Sequence, residues 1–203
     1  IVERYHTDSV KYDGVYDEFG CGDILPMWVA DMDFQAPPAV TEAIREYCDR
    51  GVFGYTFRSA EANDAFRDWV KRRYGWDTKQ EWLSSSPGIV TALSLAVRAF
   101  TQPGERVLIM TPVYPPFYSV VRDNGRKLVY NPLIREEDKY VIDWENLEEG
   151  LRGGVRLLIL CNSHNPVGRV WTREELQRIG ELCCRYDVLI VSDEIHADLA
   201  LFG

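Results

Sequence analysis

Residues 157–196, LLILCNSHNPVGRVWTREELQRIGELCCRYDVLIVSDEIH, decide the fold. The stretch opens on an apolar run, 157–161, and reaches a second one at 188–191. Between them Thr172 stands three residues before Glu175, which is a capping box, and Leu176, Ile179, Cys183 and Tyr186 follow at helical spacing. Runs that are apolar at every position belong to strands buried on both faces, and a helix between two of them predicts a parallel crossover unit. The same alternation extends back to Trp82. It predicts strands over 106–110, 128–130, 157–161 and 188–191, with helices over Ile89–Phe100, 117–124, 143–152 and 172–186. The expected class is therefore α/β, a mostly parallel sheet with crossover helices.

N-terminal to this domain the pattern differs. Residues 1–36 are rich in Asp, Gly and aromatics and read as an irregular arm ending before a Pro37-Pro38 helix start. Two amphipathic helices are predicted next, over 39–50 and Ala60–Tyr74, ended by Gly51 and Gly75.

Bulk properties narrow the function classes. The 203 residues are 46% hydrophobic and 27% charged, which suits a packed globular protein. A formal charge of -9 and a pI near 4.9 provide no basic field for nucleic acid or an anionic membrane. No apolar run approaches the roughly 20 residues needed to cross a bilayer, and residues 1–10 lack a signal pattern. A cytoplasmic protein handling small molecules is expected. Five cysteines, odd in number and without CxxC spacing, read as reduced and mostly buried thiols rather than a disulfide set or a zinc site. No metal site is expected. The chain starts on Ile and stops at Gly203 with no closing helix, and a fragment of a longer protein is expected.

In open α/β sheets ligands bind beyond the carboxyl ends of the strands, so the segments following each strand and turn are the candidates. Ser86-Pro87-Gly88-Ile89-Val90 runs from a small-residue turn into a helix, whose free amides and dipole suit a phosphate; a plain helix cap is the other reading. It is neither a Walker loop nor GxGxxG. Tyr114, in Thr111-Pro112-Val113-Tyr114, either lies flat on a heteroaromatic ring or packs at a rim. Asn165 precedes Pro166 in a turn that aims its amide outward, although Asn-Pro is also simply a turn. Ser192-Asp193-Glu194-Ile195-His196 brings a carboxylate to the ligand edge of the sheet, where it needs a cation. A protonated pyridine nitrogen is one such cation, and a helix cap or an ion pair is the alternative. His196 is a candidate for contact with cofactor or substrate, or a structurally satisfied histidine.

In this order and spacing, these segments resemble the fold-type I pyridoxal-phosphate (PLP) enzymes, the aspartate-aminotransferase superfamily, and within it the cystathionine β-lyase or C-S lyase branch. The passages that carry the resemblance are 25–34 (LPMWVADMDF), 51–55 (GVFGY), 86–90 (SPGIV), 164–171 (HNPVGRVW) and 192–199 (SDEIHADL), and it covers essentially the whole chain. The resemblance implies an arm and the start of a small domain over 1–45, and the first part of a large PLP-binding domain over 46–203. It implies that amides around Gly88 and Ile89 hold the cofactor phosphate, that Tyr114 stacks on the ring, that Asn165 bonds its 3'-oxygen, and that Asp193 pairs with its pyridine nitrogen. Asp193 and Tyr114 are thus the expected catalytic residues, with His196 beside the cofactor. Tyr55 is implied to reach the phosphate of a neighbouring subunit, which requires a homodimer with shared active sites. The resemblance also implies that the arm from Trp28 to Asp33 lines the substrate entrance and that its backbone near Ala30 helps place the carboxylate of an amino-acid substrate.

The family's lysine that anchors the cofactor covalently lies beyond the Ser-Asp-Glu-Ile-His motif. This chain's lysines are Lys11, Lys71, Lys79, Lys127 and Lys139, all before Asp193. The expected activity of the whole protein is cleavage of L-cystathionine or related cysteine S-conjugates to thiol, pyruvate and ammonia. An aminotransferase is the alternative, and a non-catalytic PLP-fold binding or regulatory protein the alternative of another class.

Overall fold

The computed structural model describes residues 1–200. The chain divides into two compact units, Ile1–Trp76 and Asp77–Gly203. In the first unit lie α1 (Val10–Asp13), α2 (Val15–Phe19), α3 (Pro38–Asp49) and α4 (Ala60–Tyr74). The arm is therefore not irregular throughout, as its composition suggests, because local hydrogen bonds support two short helices there. The Asp13 carboxylate accepts backbone N–H groups of His6, Thr7 and Ser9 at 2.8, 3.1 and 3.0 Å. These bonds, chiefly that of His6, hold its pKa below the usual carboxylate range. Lys11 is buried, and its ammonium donates to the Asp33 carboxylate and the Asp31 carbonyl, each at 3.0 Å. Arg4 pairs with Asp31 and Asp33 as well. Proline at the start of α3 loses no bond, since a first-turn N–H has no intrahelical partner. α4 is capped by Ser59, whose hydroxyl accepts the Ala62 N–H at 3.1 Å, and closes on Gly75 at φ 68°.

The second unit is built on one parallel sheet. Its strands are β1 (Arg106–Thr111), β2 (Lys127–Pro132), β5 (Val155–Cys161) and β6 (Leu189–Asp193), in the order β2-β1-β5-β6. The helices are α5 (Ile89–Phe100), α6 (Pro116–Arg122), α7 (Trp144–Arg152) and α8 (Arg173–Arg185). α8 carries the capping box read from Thr172 and Glu175. An antiparallel pair that the sequence reading lacked, β3 (Ile134–Glu136) and β4 (Lys139–Val141), lies between β2 and α7.

Alternate residues of the two central strands feed opposite cores, which is why both runs are apolar throughout. Val107, Ile109, Leu157 and Ile159 meet α5 and α6 through Leu93, Val97 and Phe117. Leu108, Met110, Leu158 and Leu160 meet α7 and α8 through Leu147, Leu151 and Ile179. Each such side chain contributes about 1.5–3 kcal/mol by leaving water. α7 sits so close to the sheet that a Cβ on Gly150 would stand 2.9 Å from Leu108 Cδ1 and 3.3 Å from Val129 Cγ1.

From β1 the chain steps to β2 on one side, whereas β5 and β6 extend the sheet on the other. The segments leaving β1 and β5 thus diverge at a topological switch point, the usual ligand crevice of such sheets. The cysteines differ from expectation. Only Cys161 and Cys183 are buried, while Cys21, Cys48 and Cys184 are exposed. Burial pushes the Cys183 thiol up to about 12.

Candidate active site

β6 delivers Asp193 to its last position, where the residue is only 7% exposed. Its Oδ1 accepts the Ile195 N–H at 3.1 Å. Among the described residues no Lys, Arg or His forms an ion pair with it. A nearly buried carboxylate without a cation is costly, so its position favours a cationic group brought by a ligand.

Cys161 ends β5 and stands in register with Asp193. Its thiol donates to the Ser163 carbonyl and accepts the Asn165 N–H, both at 3.5 Å. Burial first, and then the charge of Asp193, push that thiol up, so it adds no second negative charge beside the carboxylate. Asn165 and His196 line one concavity of about 220 Å³ with Ser163, His164, Pro166 and Gly168. The side-chain amide of Asn165 bonds to no other described residue.

Tyr114 lies three residues past β1 in the turn into α6, and is 41% exposed. The turn is closed by the Phe117 N–H, which donates to the Tyr114 carbonyl at 3.0 Å. α5 starts after Gly88 with no side-chain cap, and the first helical bond runs from the Ala92 N–H to the Gly88 carbonyl. The amides of Ile89 and Val90 therefore stay unpaired within the helix, at a residue run that is exposed. Such a start suits an anion.

Trp28, Ala30 and Tyr55 belong to the first unit. Trp28 is fixed by its indole N–H, which donates to the Lys11 carbonyl at 3.0 Å, and by an edge contact with Phe19. Ala30 is exposed in the loop between them and α3, and Tyr55 is fully exposed between α3 and α4.

His164 carries a contact that no sequence reading assigned. It is 1% exposed, and its Nε2 lies 2.9 Å from the Pro112 carbonyl. The only hint in the sequence is its place directly before Asn165. No group of His, Cys, Asp or Glu suited to a metal occurs among the described residues, nor any helix long and apolar enough to cross a membrane.

The chain is similar to known proteins over nearly its whole length. The cystathionine beta-lyase PatB of Bacillus subtilis is 52% identical over 99% of this chain and 52% of its own. The PLP-bound C-S lyase of Staphylococcus hominis superposes with a TM-score of 0.89 at 38% identity, over 98% of this chain and 51% of that one. Cystalysin of Treponema denticola, whose crystal structure contains pyridoxal 5'-phosphate, gives 0.90 at 37% identity, over 97% and 51%. The chain spans about half the length of the curated relatives it matches. With its parallel sheet ending on Asp193 and a match to aminotransferase class I and II over residues 23–202, the chain belongs to that family.

Proposed function

We propose that the complete protein is a PLP-dependent carbon-sulfur β-lyase acting on L-cystathionine or related cysteine S-conjugates. The observation that carries the reading is Asp193, nearly buried at the carboxyl end of β6 with no cation among the described residues. The other residues of the reading suit the cofactor: an uncapped helix start for a phosphate, an unbonded amide at Asn165 for a ring oxygen, and an exposed aromatic face at Tyr114, with Asp193 as the carboxylate for a ring N–H. When bound, pyridoxal phosphate supplies a protonated conjugated ring that draws electron density from the substrate Cα. Asp193 keeps the proton on the ring nitrogen. Asn165 donates its amide N–H to the ring oxygen, the amides at Gly88 and Ile89 hold the phosphate, and Tyr114 covers a ring face. His196, in the concavity with Asn165, lies beside the cofactor.

Trp28 and the backbone at Ala30 take the substrate's entrance and carboxylate. The full exposure of Tyr55 supports its reaching into a second copy, and we propose a homodimer with shared active sites, in the cytoplasm. In this proposal residues 1–45 form the arm and the start of a small domain, and residues 46–203 the first part of the large PLP-binding domain. The covalent anchor is the lysine that the family resemblance implies C-terminal to Asp193, and the five lysines of this sequence all precede that residue.

Lyase and aminotransferase chemistry share the same early proton removal and differ in whether a leaving group departs from Cβ. The relatives named as lyases favour cleavage. Given L-cystathionine and no keto acid, the complete protein is expected to release pyruvate, ammonia and thiol in equal amounts. Lactate-dehydrogenase coupling and a thiol reagent on one sample measure this. If neither product forms while amino groups pass efficiently to an added keto acid, the aminotransferase reading replaces the lyase.

A further inference from the structure

The turns leaving β1 and β5 diverge at the switch point, and each carries a residue of the cofactor reading, Tyr114 on one and Asn165 on the other. Among the described residues a single hydrogen bond joins the two turns, from His164 Nε2 to the Pro112 carbonyl at 2.9 Å. Because a carbonyl only accepts, Nε2 carries the hydrogen, and the imidazole is the Nε2–H tautomer. Its other nitrogen, Nδ1, is buried without a partner. A proton added there would put a charge into the interior, and burial opposes it, pushing the His164 pKa down against the opposite pull of the Pro112 and Cys161 carbonyls.

Everything else about the ring is fixed from its own turn. The His164 N–H donates to the Arg169 carbonyl at 2.6 Å, and the Gly168 N–H returns to the His164 carbonyl at 2.9 Å. The imidazole meets the Trp171 ring edge-on, centroids 5.4 Å apart at 81°. Trp171 is anchored in turn, its indole N–H donating to the Cys161 carbonyl at 3.0 Å and its backbone N–H to Asn162 Oδ1 at 3.2 Å. One end of His164 is thus rigid with the Asn165 turn, and the other holds the segment that leads into Tyr114.

We infer that His164 is a positioning residue, a neutral buried strut that sets the Asn165 turn against the Tyr114 turn and so fixes the width of the cofactor cradle. It does not touch the reacting atoms. The inference rests on the reading of Asn165 and Tyr114 as cofactor contacts, and its consequence is specific. Losing the hydrogen-bond donor while keeping an apolar filler should widen the cradle without unfolding the sheet, whereas glutamine, whose amide nitrogen can stand near the position of Nε2, should restore it.

The test uses the complete protein, with H164L and H164Q compared to the parent, and pyridoxal phosphate as the probe. Cofactor affinity and the visible circular dichroism of the bound chromophore are measured, and amide hydrogen exchange at Val113, Tyr114, Asn165 and Val167 is followed in cofactor-free protein. H164L is expected to bind cofactor about tenfold more weakly, the size of one buried hydrogen bond, with reduced ellipticity and faster exchange in both turns. H164Q should stay within about threefold of the parent, since it keeps that bond. Parent-like affinity and exchange in H164L would overturn the inference, and so would equal losses in both variants, which would mean that ring volume rather than the donor matters. Should H164L fail to fold, H164N, an amide too short to reach Pro112, takes its place. A parent that binds no pyridoxal phosphate would refute the cofactor reading alone, because the exchange of the two turns still decides the role of His164.

Discussion

Replacing Asp193 with alanine in the complete protein is expected to lower turnover by two to four powers of ten while much of the cofactor affinity survives. The ring proposed to face Asp193 would lose its carboxylate partner and, by giving up its proton, escape most of the ground-state cost, so a loss of about 3–5 kcal/mol, the size of a broken buried ion pair, is expected in the transition state, where the ring takes up electron density. At about 1.4 kcal/mol per power of ten, that range gives the expected fall in rate. Without the carboxylate the ring nitrogen loses its proton, and the ring draws less electron density from the substrate. Cofactor binding is less affected, since the amides at the start of α5 and the Asn165 amide remain. Steady-state kinetics on D193A with a parallel cofactor titration checks both halves. Turnover within about tenfold of the parent would remove Asp193 from the reaction.

Phe117→Ala is expected to have the largest effect on stability. The ring is fully buried among the residues of β1, β5, α5 and α6, and truncating a buried phenylalanine typically costs about 3–5 kcal/mol. Phe117 also closes the Tyr114 turn through its backbone N–H, so the truncation loosens the residue that anchors one wall of the proposed cradle. The urea midpoint of the cofactor-free complete protein should fall accordingly, and the cofactor-bound protein should lose affinity as well. A loss below about 1 kcal/mol would mean that the core on this face repacks freely.

The parts of the fold that the sequence reveals are those set by burial on both faces of a sheet. Leu157 to Leu160 and Val107 to Met110 alternate between two cores, so every position is apolar and the strands stand out from the helices beside them. Helix α8 is equally legible, because Thr172 and Glu175 make the reciprocal cap that their spacing announces. β3 and β4 escape the same reading. Each is three residues long, β3 is exposed at every position, and charged Arg135, Glu136 and Lys139 hide any alternation. α1 and α2 are too short for a helical period and depend on contacts such as those of Asp13. The ends of β5 and β6 pointed to Asn165 and Asp193 as candidates because strand ends are where such sheets hold ligands. His164 was not legible, since its partner at Pro112 lies 52 residues away and only the neighbouring of β1 and β5 brings the two together.

The central claim is that Asp193 faces the protonated ring nitrogen of pyridoxal phosphate. Nitrogen-15 NMR of cofactor labelled in the ring, bound to the complete protein, reports that proton directly. The account predicts a protonated pyridine nitrogen across the neutral pH range in the parent, and an unprotonated one in D193A at the same pH. An unprotonated nitrogen in the parent, or a proton that survives unchanged in D193A, would contradict it.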